Sequence, residues 1–274
     1  MTEIPGYRGT AFNPATASEN RIHADDVARL YGFRGGLVPG VTVYAYAVEP
    51  AVRGWGLDWL SRGAGSIVLN KPLYDGSAFE VAVEPADEGF ATSVTDGDGV
   101  RCADGSFSLP ETIAKAPVRR GDRPVPAAAD RPEATRDVLE RLRREDMGAY
   151  TVTWDGTGEA ARYRRDLADM PALVRPDRDG FAHPAFTLGL ANWVLSANVR
   201  LGPWIHVESR IRHLAPIPLG TVVTVEAVVT DLVERRGHEF VDLDVAAYAG
   251  DAPLFSAFHR AIYRLRPAAA KEAS

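Results

Sequence analysis

Cysteine is almost missing: Cys102 alone, in 274 residues, leaves no internal disulfide and no thiolate set for zinc. Its surroundings, Arg101-Cys102-Ala103-Asp104-Gly105, form a polar, turn-like segment without a nucleophile signature, and a lone thiol fits a reducing cytoplasm. No run of about 18 apolar residues occurs, so no membrane-spanning helix is expected. The start, Met1-Thr2-Glu3-Ile4-Pro5-Gly6, lacks a cationic segment followed by an apolar one, so no secretory leader is expected either. A basic surplus is also lacking: 31 Lys and Arg stand against 37 Asp and Glu, a formal charge of −6, which argues against a nucleic-acid partner. The Arg119-Arg120 pair and the Arg141, Arg143, Arg144 run are broken by acids and prolines, and read as solvated faces. There is no Gly-x-Gly-x-x-Gly, phosphate loop or Gly-x-Ser-x-Gly elbow, and no histidine pair at metal-ligand spacing, so neither cofactor nor metal is expected.

What is present is an ordinary globular composition, 46% hydrophobic and 25% charged, in a chain long enough to bury roughly three quarters of its unfolded surface. Pro110, Pro117, Pro124, Pro126 and Pro132 break the chain with a linker, since closely spaced prolines remove backbone donors. Three segments follow: an N-terminal unit over 1–110, a linker with a surface helix over 111–147, and a C-terminal unit over 148–274. Within the middle one, Val138, Leu139 and Leu142 fall at helical spacing, with Glu140 four residues before Arg144.

Strand patterns dominate both units. Ser66–Leu69, Ala78–Val83, Phe90–Val94 and Val100–Leu109 lie in the first, with Asp96-Gly97-Asp98-Gly99 as a hairpin turn. His206–Leu214, Thr221–Leu232, Phe240–Val245 and Leu254–Leu265 lie in the second. Each unit adds one weakly charged segment that reads as a buried helix, Val41–Val52 and Phe186–Val199. Landmarks repeat between them. Gly32-Phe33 precedes the first helix and Gly180-Phe181 the second, 148 residues later; Pro72-Leu73-Tyr74-Asp75-Gly76 is answered by Ile217-Pro218-Leu219-Gly220, with Gly76 and Gly220 144 residues apart. A duplicated helix-in-sheet unit is the expectation.

The stretch Asn20-Arg21-Ile22-His23-Ala24-Asp25, followed by Gly32-Phe33 and Leu37-Val38-Pro39-Gly40, resembles the signature of MaoC-like hydratases and dehydratases, the (R)-specific enoyl-CoA hydratase family. Asn20, Ile22, His23 and Asp25 fall on the motif. The family's catalytic aspartate is replaced: Ser18 stands five residues before His23, with Glu19 beside it. Arg21 occupies the place of a proline and Pro39 that of a common histidine. The resemblance implies an α+β fold, the double hot-dog, in which two long buried helices are wrapped by one continuous antiparallel sheet as an internal pseudo-dimer.

It also implies a chemistry: reversible hydration of an enoyl thioester, or dehydration of a 3-hydroxyacyl thioester, carried on coenzyme A or an acyl carrier protein in fatty acid or polyketide metabolism. A base must take a proton from water and an acid must protonate the α carbon, each worth ~10²–10⁴-fold when well placed. His23 is the expected base, with Glu19 in the missing carboxylate's role or Ser18 and Asn20 orienting water. Gly35, Gly36 and Gly40 suit an amide cradle for the thioester oxygen at a helix N-terminus. Asp25 and His183 are expected at the substrate site, although Asp25 also suits a helix N-terminus and His183 a cap. The residue answering His23 in the second unit falls near Pro171, so one site is expected. Two alternatives stay open: a hot-dog thioesterase using Glu49 or His183, with Glu49 placed at the helix end by Pro50, and a non-catalytic acyl-binding protein of a biosynthetic pathway. Whether pseudo-dimers pair into a homodimer is likewise open.

Overall fold

Alternation decides the strands. Along Gly89–Asp96 the buried residues are Phe90, Thr92 and Val94, every second position, so one face of the strand is dry and the other wet. The computed structural model describes residues 4–121 and 123–266; the first three residues, position 122 in the linker and the stretch after 266 lie outside the described residues. In chain order the elements are β1 (Tyr7–Thr10), α1 (Asp25–Leu30), α2 (Gly40–Arg62), β2 (Ala64–Leu69), β3 (Ala78–Ala86), β4 (Gly89–Asp96) and β5 (Arg101–Ser108). Then come α3 (Arg136–Glu145), β6 (Tyr150–Thr153), α4 (Pro184–Asn198), β7 (Ile205–His213), β8 (Val222–Arg235), β9 (His238–Ala249) and β10 (Ala252–Arg264).

All ten strands form one antiparallel sheet in the order β1-β3-β4-β5-β2-β7-β10-β9-β8-β6. The second five strands mirror the first across the β2–β7 seam, where Ser66 pairs with Arg210 and Ile67 with Ser209. The sheet curls around α2 and α4, whose buried residues run almost without interruption from Val41 to Val52 and from Pro184 to Ala191. Helices this apolar on every side are stable only when covered all round. This is the expected double hot-dog. No helix among the described residues is long and apolar enough to cross a membrane.

Equivalent hydrogen bonds fix the internal correspondence. Val38 N–H donates to Leu73 O and Ala182 N–H to Ile217 O; Gly76 N–H donates to Ala11 O and Gly220 N–H to Trp154 O. Gly76 and Gly220 both have positive φ, 72° and 84°, which explains glycine at each. The earlier landmark is corrected: Val38 matches Ala182, so Gly180 answers Gly36 and not Gly32, and His183 stands at the place of Pro39. Likewise Leu37 N–H bonds Ile22 O and Phe181 N–H bonds Leu173 O, so the residue answering His23 is Val174, not one near Pro171. Val174 is fully buried and apolar, leaving the second unit without that imidazole.

The first helix also departs from expectation. It passes through Pro50 and continues to Arg62, with a kink at Gly56 (φ 56°, ψ −131°). Proline has no N–H for the carbonyl four residues back, which belongs to Tyr46. Tyr7, on β1, supplies the replacement: its hydroxyl donates to Tyr46 O at 2.9 Å. Replacing Tyr7 with Phe should therefore cost about 1–2 kcal/mol in denaturant unfolding, by leaving that carbonyl unpaired. Glu49, one residue earlier, lies in mid-helix at 1% exposure and not at a helix end.

α3 buries Leu139 and Leu142 and begins with Thr135, whose hydroxyl accepts from Val138 N–H at 3.3 Å. The linker is less solvated than its composition suggests. Arg119 is paired with buried Glu226 at 3.0 Å and donates to Gly250 O, which pins the segment across the second unit.

Candidate active site

The motif Asn20–His23 folds as a short 3₁₀ turn (Arg21–His23) that starts at Asn20, whose side-chain oxygen accepts from Ile22 N–H. The second unit holds it: Asn20 Nδ2 donates to Trp204 O at 3.0 Å, and Trp204 N–H donates to Asn20 Oδ1 at 3.2 Å. These two bonds orient the Asn20 amide. Its remaining N–H points at His23 Nε2, 3.3 Å away.

On the other side of the ring, His23 Nδ1 lies 2.7 Å from Leu37 O. A carbonyl only accepts, so Nδ1 carries the proton and Nε2 carries the lone pair. Burial pushes the imidazole down to about 4, the bond to Leu37 O opposing it, so the ring is neutral near pH 7. Its backbone is fixed by Asn13, a buried residue the motif does not include, which donates from Nδ2 to His23 O at 2.9 Å. Gly36 packs so closely on that same carbonyl that any Cβ would collide with it.

His23, Asn20, Pro39, Asn192 and Trp204 are shared by two cavities. The larger, about 650 Å³, adds Gly40, Val43, Leu69, His206 and Phe240, and carries Lys71, Arg235, Arg236 and His238 in its wall. Lys71, Arg235 and Arg236 are exposed and have no ion-pair partner among the described residues. The smaller, about 260 Å³, is lined by Ser18, Glu19, Thr42, Arg131, Glu159, Ala160, Gly189 and Trp193 among others.

Pro39, at the meeting of the cavities, starts α2 without a side-chain cap. Thr42 and Val43 N–H donate back to Pro39 O, but Gly40 and Val41 N–H have no acceptor among the described residues. An uncapped helix start presents donors and the positive end of its dipole. The second helix start is closed. His183 Nδ1 accepts from Ala185 N–H at 2.9 Å, Pro184 has no N–H, and the ring stacks on Tyr163 with centroids 4.2 Å apart. One imidazole for one proline thus closes the start of α4 and leaves that of α2 open.

The other expected site residues divide: Ser18 and Glu19 line the smaller cavity with His23, Gly40 lines the larger, and the rest lie away from both. His183, fully buried and held well below the usual histidine range by burial, is spent as a cap away from both cavities' linings. Asp25 does not meet the cavities either: it accepts from Gly36 N–H at 2.8 Å and pairs with Arg29, and the Gly36 bond chiefly lowers its carboxyl. Gly35 and Gly36 consequently pack the loop beneath His23, and of the three glycines Gly40 alone lines either cavity, with its amide unbonded among the described residues. Glu19, largely exposed, pairs with Arg131 at 3.2 Å, and the Arg131 guanidinium also donates to Ser196 O, so the arginine joins the linker to both the Glu19 loop and α4. Ser18 donates to Asn20 O at 3.2 Å.

Sequence reasoning missed Glu159, Asn192 and His206. Glu159 opens the 3₁₀ turn Glu159–Ala161, makes no ion pair among the described residues, and burial raises its carboxyl above the usual range. Asn192 Oδ1 is buried without a partner among the described residues. Glu49 is occupied completely: Oε1 pairs with Arg53, and Oε2 with Arg164 and the Tyr163 hydroxyl.

No family model and no curated protein matches the chain. Solved structures do. Rv0216 of Mycobacterium tuberculosis, described as a double hotdog protein essential for survival during infection, matches with TM-score 0.59 at 14% identity over 94% of each chain. A MaoC-like dehydratase matches with TM-score 0.54 at 14% identity, covering 96% of this chain and 98% of that one. The dehydratase domain of PpsC from Mycobacterium tuberculosis, solved with C12:1-CoA, matches with TM-score 0.54 at 11% identity over 93% and 92%. Chains described as thioesterases stand among the other neighbours. At these identities the likeness is one of fold: the chain is a double hot-dog protein.

Proposed function

We propose that the protein is a MaoC-like hydratase or dehydratase of acyl thioesters, with one active site at His23. The observation that carries this reading is the neutral imidazole, its unprotonated Nε2 in one long 3.3 Å contact with Asn20 Nδ2, beside the uncapped start of α2. The thioester oxygen would accept from Gly40 and Val41 N–H, as charge develops on it during addition. The larger cavity suits the pantetheine arm, with Lys71, Arg235 and Arg236 available to the carrier's phosphates. The acyl group would fill the smaller one.

In hydration, His23 Nε2 takes a proton from water while the hydroxide oxygen bonds to the β carbon. The α carbon receives a proton from Glu159, whose raised carboxyl suits an acid, in place of the motif's absent aspartate. The enzyme is left with a protonated His23 and an ionised Glu159, reset by exchange with solvent. Dehydration runs the same steps backwards. The 3.3 Å contact from Asn20 Nδ2 is long enough for water to take its place at Nε2.

The thioesterase reading loses its candidate carboxylate, because Glu49 is bound by two arginines and a tyrosine. Hydration of crotonyl-CoA and longer enoyl-CoAs, followed by loss of enoyl absorbance, tests the proposal. His23→Gln and Glu159→Gln should each lower kcat/KM by ~10²–10⁴-fold with melting temperature little changed. Turnover unaffected by both substitutions would overturn the assignment. Thiol release without hydration would favour the thioesterase, and stabilisation by acyl-CoA without turnover would favour a binding protein.

A further inference from the structure

Strands β7 and β10 carry a polar chain through an otherwise apolar wall. His206 Nε2 lies 2.8 Å from Ser209 Oγ, and Ser209 Oγ lies 2.8 Å from His259 Nδ1. The imidazoles lean on one another, centroids 4.5 Å apart at 31°. Exposures are 4% for His206, 1% for Ser209 and none for His259. Two nitrogens of the pair have no partner among the described residues, His206 Nδ1 and His259 Nε2. An unmatched buried polar atom is destabilising, so Nδ1 of His206 invites a partner supplied from outside.

Its location says which. His206 lines the larger cavity together with His23 and Gly40. A Cβ on Gly40 would stand 2.7 Å from His206 Nδ1, so only glycine at the first position of α2 lets the imidazole lie against the open helix end. The Ser209 hydroxyl has one proton. Between two neutral imidazoles it donates to one and accepts from the other, so only one of the two facing nitrogens is protonated. When Ser209 donates to His206 Nε2, the His206 proton is on Nδ1, the nitrogen that lies against Gly40, and His259 Nδ1–H completes the chain.

We propose that His206 is a third donor to the thioester carbonyl oxygen, beside Gly40 and Val41 N–H, with Ser209 and His259 holding it in the Nδ1-protonated tautomer. This rests on the thioester reading of the cavity. It adds to it a neutral side-chain donor contributed by the second unit, so that both halves build the one site. No proton is transferred; the donor strengthens its bond as the oxygen gains charge.

The probe is hexadienoyl-CoA, whose conjugated absorbance moves to longer wavelength as its carbonyl is polarised, bound to the His23→Gln variant so that turnover does not intervene. A red shift on binding is expected. It should largely vanish when His206→Gln is added and shrink with Ser209→Ala, while binding persists. In the His23 background of the natural chain, His206→Gln should lower kcat by ~10²–10³-fold with KM little altered. An undiminished red shift in folded His206→Gln overturns the proposal alone. Should that variant fail to fold, Ser209→Ala decides, an unchanged shift again overturning it. Absence of any probe binding to His23→Gln overturns the thioester reading itself, and the donor role falls with it.

Discussion

Lowering the pH from 8 to 5 is expected to remove several kcal/mol of folding stability, well before the carboxylates are fully protonated. The cause is the state in which this fold keeps its imidazoles. His206 and His213 are pushed down to about 3 by burial, His23 to about 4, and His183 and His259 well below the usual value. In the unfolded chain each returns to about 6.5. Between about pH 6.5 and 4 the unfolded state therefore binds more protons than the folded one, and stability falls as pH falls. Above 6.5 the contribution is complete. Each such group loses on the order of 1 kcal/mol per pH unit inside that window, against a total of about 5–15 kcal/mol for a typical domain. Urea midpoints at pH 8, 6.5 and 5 measure the slope. His213, packed edge-on against Trp59 with Nε2 unpartnered, offers a control: His213→Phe should flatten the slope by about one proton. A midpoint constant across that range would contradict the account of neutral buried histidines.

The second large effect concerns Glu49. Its carboxylate, 1% exposed in mid-helix, ties α2 to Arg164 in the second unit, between β6 and α4, and to Arg53 one helical turn on. Arg164 is itself only 12% exposed, so Glu49→Ala strands a buried guanidinium. The expected cost is about 3–5 kcal/mol, read by denaturant unfolding. Glu49→Gln should cost less, keeping the Tyr163 hydroxyl contact. The pair Glu49→Leu with Arg164→Met should recover much of the loss, since removing both charges avoids the uncompensated one. If Glu49→Ala were neutral in stability but abolished acyl-CoA turnover, the carboxylate would be catalytic and the site misassigned.

Much of the architecture is legible in the sequence because it depends on local alternation. The period-two burial of β4 and the glycine turns at Gly76 and Gly220 are written in adjacent residues. The run of α2 beyond Pro50 is not, because the donor proline lacks comes from Tyr7, on a distant strand. The same division holds at the site. His23 and Asn20 belong to one motif and do touch. Glu159, Asn192, Trp204 and His206 reach them only through closure of the sheet across β2 and β7, which no spacing along the chain expresses. Glu19, paired with Arg131, lines the smaller cavity as its place in the chain suggests, whereas His183 is used at the start of α4.

The central claim is a neutral His23 acting as the base on an enoyl thioester. The direct measurement is the pH profile of kcat/KM for crotonyl-CoA hydration by the natural protein and by His23→Gln. A profile whose acid limb is governed by a group near pH 4, abolished in the variant along with nearly all turnover, is the predicted result. Full activity in the variant, or an acid limb near 6.5 unaffected by the substitution, would contradict it.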